Sequence, residues 1–136
     1  MMGIGVGGFV LSLAGQSGET FKARLSAVPA DARTRADLAG SGSVSAVLTG
    51  TKLGITGSFE GLRAAATLAS LHSAVAAGVA GPAIGDLTIS KATSGSISGS
   101  IELTPQQLTS LRKGGLYIEI YSEKAPDGVL WGWLLR

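Results

Sequence analysis

Apolar and polar residues alternate along most of this chain, in short runs punctuated by glycine and proline. Leu116, Ile118 and Ile120 alternate with Tyr117, Glu119 and Tyr121, the period-2 pattern of a half-buried strand. Ala125-Pro-Asp-Gly128 follows as a turn, because proline presets φ and glycine tolerates the left-handed region. The next run puts Leu130, Gly132 and Leu134 on one face and Val129, Trp131 and Trp133 on the other. The segments 41–49 and 52–60 read as a hairpin turning through Gly50-Thr51, with Leu53, Ile55 and Phe59 on one face. Further strands are predicted over 20–28, ending at Pro29, and over 67–72, 83–90 and 96–103. The segment 30–38 reads as an exposed connection.

One helix interrupts this pattern. Thr104 is a good N-cap, Pro105 suits the first helical position, and Leu108 and Leu111 form a short apolar face. Arg112 and Lys113 complement the C-terminal dipole, and Gly114-Gly115 stops the helix. Short strands at regular spacing plus one short helix give the pattern of an all-β antiparallel sandwich or Greek-key barrel, of which the Greek-key β-sandwich is the arrangement expected.

Composition narrows the function classes. With 136 residues the chain fits one domain with a full core. Cysteine is absent, which excludes disulfides and thiol chemistry. A net charge of +2, with lysines and arginines scattered, gives no nucleic-acid footprint. Residues 4–15 are apolar but too short to span a membrane. They read either as a signal-like remnant without its basic flank or as an extra strand over 9–14. Leu13-Ala-Gly15 matches the tail of a lipoprotein signal, except that Gln16 stands where such a motif needs cysteine. The expected organisation is an N-terminal segment, 1–19, and a β domain, 20–136.

The order of these pieces resembles the CHRD (chordin-type) domain family, in its secreted bacterial form. Phe21-Lys-Ala-Arg-Leu-Ser-Ala-Val-Pro29 is similar to the opening strand, and Gly40 to Leu48 with Leu53 to Leu62 to the second hairpin. Ala69-Ser-Leu-His-Ser-Ala74 with Ala77 to Pro82 is similar to a histidine-containing block. Leu103-Thr-Pro-Gln-Gln-Leu108, Gly115 to Ile120 and Pro126 to Leu134 are similar to the helix and closing strands. The resemblance implies an immunoglobulin-like or superoxide-dismutase-like sandwich, usually exported, and supplies no activity. It departs at Trp131 and Trp133, where the family usually has arginine and a polar residue.

Two sets of residues are candidates for function. His72 is the sole histidine, and Asp86 and Glu102 are the acids in the neighbouring predicted strands, a thin donor set for a metal. A hydrogen-bonded histidine at a strand end is the simpler reading of His72. Ser73, His72 and Asp86 can be written as a triad, but no nucleophile elbow or oxyanion loop accompanies them. The second set is Tyr117, Tyr121, Val129, Trp131 and Trp133, expected on one sheet face, where large aromatics are binding hot-spot material. The chain is therefore expected to be a non-catalytic module needing no cofactor, periplasmic or secreted and derived from a lipoprotein or not. Its partner is expected to be a second copy or another envelope protein. A metal-binding or redox-partner protein built on His72 is the alternative.

Overall fold

The computed structural model describes residues 18–31, 34–75 and 78–136. The N-terminal segment, with its signal-like or extra-strand reading, lies outside the described residues except at its end. Eight strands are described: β1 (Glu19–Ala27), β2 (Ser41–Thr49), β3 (Lys52–Glu60), β4 (Ala66–Ser73), β5 (Ala83–Ile89), β6 (Gly95–Glu102), β7 (Leu116–Ser122) and β8 (Leu130–Trp133). Helix α1 (Pro105–Arg112) lies between β6 and β7, and a 3₁₀ turn (Arg35–Asp37) lies in the exposed connection after β1.

The strands are antiparallel and close in the order β1-β2-β3-β6-β5-β4-β7-β8 and back to β1. The expected open sandwich is thus corrected to a closed barrel. Two broad ladders, β1-β2-β3-β6 and β5-β4-β7-β8, are joined by narrow seams. One seam pairs Ser26 with Trp131 and Ala27 with Leu130, and the other pairs Thr88 with Ser98 and Ile89 with Ile97. At the first seam β1 passes so close to β8 that a Cβ on Gly132 would press against the Arg24 carbonyl and the Leu25 side chain. The same period-2 alternation serves a sandwich or a barrel, since in both one face of each strand turns inward. Hydrogen bonding across the seams makes the difference.

Inside, Phe21, Leu25, Leu53, Ile55, Leu71, Ile97, Leu111, Ile118, Ile120, Leu130 and Leu134 are buried in one cluster. Helix α1 covers one end of it through Leu111. Its N-terminus carries a full capping box: Thr104 Oγ1 accepts from Gln107 N–H, and Gln107 Oε1 accepts from Thr104 N–H. The predicted hairpin 41–49/52–60 is found with those bounds.

Candidate functional site

The outer face of β4, β7 and β8 carries the candidate residues. Cross-strand pairing puts His72 beside Tyr117 and Tyr117 beside Trp133 in one row. In the next row Ser70 neighbours Glu119, and Glu119 neighbours Trp131. Strand parity explains the arrangement: Leu116, Ile118, Ile120, Leu130 and Leu134 turn inward, so the tyrosines, Glu119 and both indoles turn outward.

Outward does not mean bare here. Trp131 and Trp133 are partly exposed, with ring centroids 5.8 Å apart and planes tilted by 59°. Tyr117 is only 2% exposed, with Trp133 at 4.2 Å on one side and His72 stacked at 4.7 Å. Trp131 meets Tyr117 edge-on at 5.8 Å. Val129 does not join this face. It is fully buried and belongs to the interior cluster, because the chain leaves Gly128 at φ 125° and turns Val129 inward before β8 begins.

The loop between β4 and β5 folds over the end of this face. Gly81 N–H donates to the Tyr117 hydroxyl at 3.0 Å, and that hydroxyl donates to the Gly81 carbonyl at 3.0 Å. The carbonyl also lies 2.7 Å from His72 Nδ1, so Nδ1 donates to it. Only glycine fits at 81, where a Cβ would overlap the Ser73 carbonyl.

A compact polar cluster sits beneath. His72 Nε2 lies 2.9 Å from Ser70 Oγ and 2.9 Å from the Tyr121 hydroxyl. Tyr121 donates to Glu119 Oε1 at 3.3 Å, and that oxygen is 3.7 Å from His72 Nε2. Burial raises the Glu119 carboxyl above the usual carboxylate range, with His72 and the Tyr121 hydroxyl pulling the other way. Burial also raises both phenols, Tyr117 against its backbone bond to Gly81 and Tyr121 against its bond from Ser70.

His72 is therefore a buried, hydrogen-bonded histidine, and its surroundings differ from those expected. Its acidic neighbour is Glu119; Asp86 is exposed on β5, and Glu102 accepts from Thr51 at 2.7 Å. The written triad does not form, since His72 Nδ1 meets a carbonyl and Nε2 meets Ser70 and Tyr121 rather than Ser73. Among the described residues no group of three or more His, Cys, Asp or Glu side chains gathers. Parity already placed Glu119 between the two tyrosines; the loop contact from Gly81 left no signal in the pattern.

The CHRD domain model matches residues 21–134, from within β1 to just past β8. The chain belongs to the CHRD domain family. The match covers nearly all of the barrel, so β4, β7 and β8, which carry the aromatic face, lie within the CHRD domain. No curated protein matches the chain, and no solved structure does. Among the described residues no helix is long and apolar enough to cross a membrane.

Proposed function

We propose that this CHRD domain is a non-catalytic, exported binding module that recognises its partner through the outer face of β7 and β8. The observation that carries the reading is the pair of indoles, Trp131 and Trp133, adjacent and partly exposed on an outer sheet face. They stand on a support of Tyr117 and His72 that is already packed and hydrogen-bonded. A preorganised aromatic patch of this kind loses little side-chain entropy on binding. Family membership supports a binding role over an enzymatic one.

The tilt between the indoles disfavours a flat sugar-stacking platform and favours an irregular protein surface. A second copy of the chain is the first partner to test, because a two-fold axis lets one patch complement itself. Tyr121 and Glu119 would lie at the edge of that contact, while Tyr117 would support it from below. Burying an indole against a partner contributes about 1.5–3 kcal/mol by area.

Sedimentation velocity of the wild type and of Trp131→Arg/Trp133→Gln over a concentration series tests this. Self-association that disappears in a folded double variant supports the proposal. Monomeric behaviour of both proteins at all concentrations removes the second copy as partner.

A further inference from the structure

Half of the barrel is nearly without charge, and the charge it has is of one sign. Strands β4, β5, β7 and β8 contain no lysine or arginine, and Asp86 and Glu119 are their only acids. Both acids lie in a row that carries one of the indoles. Cross-strand pairing runs Ser26, Trp131, Glu119, Ser70, Asp86, from β1 across β8, β7 and β4 to β5. The chain as a whole carries +2, so this face is negative against a positive background.

Glu119 is incompletely satisfied in this row. Oε1 accepts from Tyr121 at 3.3 Å, while His72 Nε2 stands 3.7 Å away, beyond hydrogen-bond reach. Among the described residues Oε2 accepts no hydrogen bond, and no lysine or arginine pairs with the carboxylate. Arg24 on β1 and Lys124 in the turn before β8 are exposed and neither pairs with it. Oε2 lies against Gly128, where a Cβ would overlap it. The side chain is 13% exposed, so a partner can reach it.

The indoles supply the other half of a cation site. Cross-strand neighbours have Cβ atoms about 4.5–5.5 Å apart, so Trp131 stands beside the carboxylate. Indole attracts cations best among the aromatic rings, within about 6 Å of its centroid. With centroids 5.8 Å apart and planes tilted by 59°, a single cation can be in range of both Trp131 and Trp133. A guanidinium suits the place better than an ammonium. It stacks on an aromatic face and still directs N–H groups, in its own plane, at a carboxylate.

We propose that this face binds an arginine side chain of a partner protein, with the guanidinium over Trp131 and its N–H groups on Glu119 Oε2. This rests on the reading of the β7–β8 face as a docking surface and gives the chemistry of what docks there.

The probe is N-acetylarginine amide, titrated into the full chain at concentrations where sedimentation shows a monomer. NMR follows the indole N–H signals and the Glu119 side chain, and N-acetylcitrulline amide, of the same shape without the charge, is the control. Saturable shifts at Trp131 and Glu119 are expected with the arginine amide and none with the citrulline amide. Glu119→Gln should weaken binding about tenfold or more, the worth of a hydrogen bond between charged groups. Trp131→Leu, on the outer face, should also weaken it and keeps the test alive if the first variant misfolds. No saturable shift in a folded wild type, or an equal response to the citrulline amide, would overturn the proposal. An equal response to N-acetyllysine amide would overturn the choice of arginine, and undiminished binding by both variants would place the cation elsewhere. Self-association is read separately. A chain that never self-associates yet binds the arginine amide keeps this inference and loses only the second copy as partner. A self-associating chain whose monomer ignores the arginine amide loses this inference alone.

Discussion

Replacing Tyr117 by phenylalanine isolates the link between the β4–β5 loop and the aromatic face. The substitution keeps the ring, and therefore the stack on His72 and the contact with Trp133. It removes one oxygen, which both accepts from Gly81 N–H and donates to Gly81 C=O. The carbonyl retains His72 as a donor, whereas the N–H loses the partner described for it. Two hydrogen bonds at about 0.5–1.5 kcal/mol each place the loss at roughly 1–3 kcal/mol. For a domain of this size that is a fall in Tm of roughly 3–6 °C per kcal/mol. Urea unfolding should show a lower midpoint at unchanged slope, because the surface exposed on unfolding hardly changes. Amide exchange adds a local reading: the Gly81 N–H should exchange faster in the variant while amides of β2 and β3 change only with global stability. A variant with wild-type Tm and a Gly81 amide still protected would refute the reasoning, since the loop would then be held by something other than this hydroxyl.

Two further expectations follow from the same geometry. The Glu119 carboxyl is raised by burial, so the folded state holds a proton there that the unfolded chain has already lost. Stability from this group is therefore full below the unfolded carboxyl value, near pH 4.5, and falls as pH rises through the higher folded value. Glu119→Gln should flatten that decline, and parallel urea titrations across this range that show identical pH profiles for both proteins would contradict it. Gly132→Val should strain the seam where β8 meets the Arg24 carbonyl and Leu25, costing roughly 1–3 kcal/mol. Wild-type stability of that variant would show that the closure has slack.

Much of the strand pattern was legible because each local device agreed with it. The β2–β3 hairpin has strict alternation and a glycine at φ 64° in its turn, so both of its bounds follow from sequence. Helix α1 announced itself by Thr104, Pro105 and Gln107, which form the capping box seen. The Ala-rich stretch before Pro82 was harder, since alanine favours helix while Thr67 and the β-branched residues do not. It became a strand, Ala66–Ser73, because it has partners on both sides in β5 and β7. Barrel closure was not legible. The seams depend on a few residue pairs between strands distant in sequence, and no period along one strand encodes them.

The site divides in the same way. Parity alone put Tyr117, Tyr121, Trp131 and Trp133 on one outer face, and it failed at Val129, where the ladder has not yet begun and the backbone turns inward. Parity also cannot say which outward residues stay wet. The Gly81 backbone contributes to that by capping Tyr117 and His72, while Tyr121 and the two indoles stay partly exposed. One glycine therefore couples two properties of the face. It accepts from His72 beside the buried Ser70, and it fixes the tyrosine on which Trp133 rests. A side chain at 81 would displace the loop through the Ser73 carbonyl and disturb both together. Substitution at Trp131 or Trp133 should change the outer surface while the bonds between His72 and Gly81 persist, because those bonds do not pass through either indole.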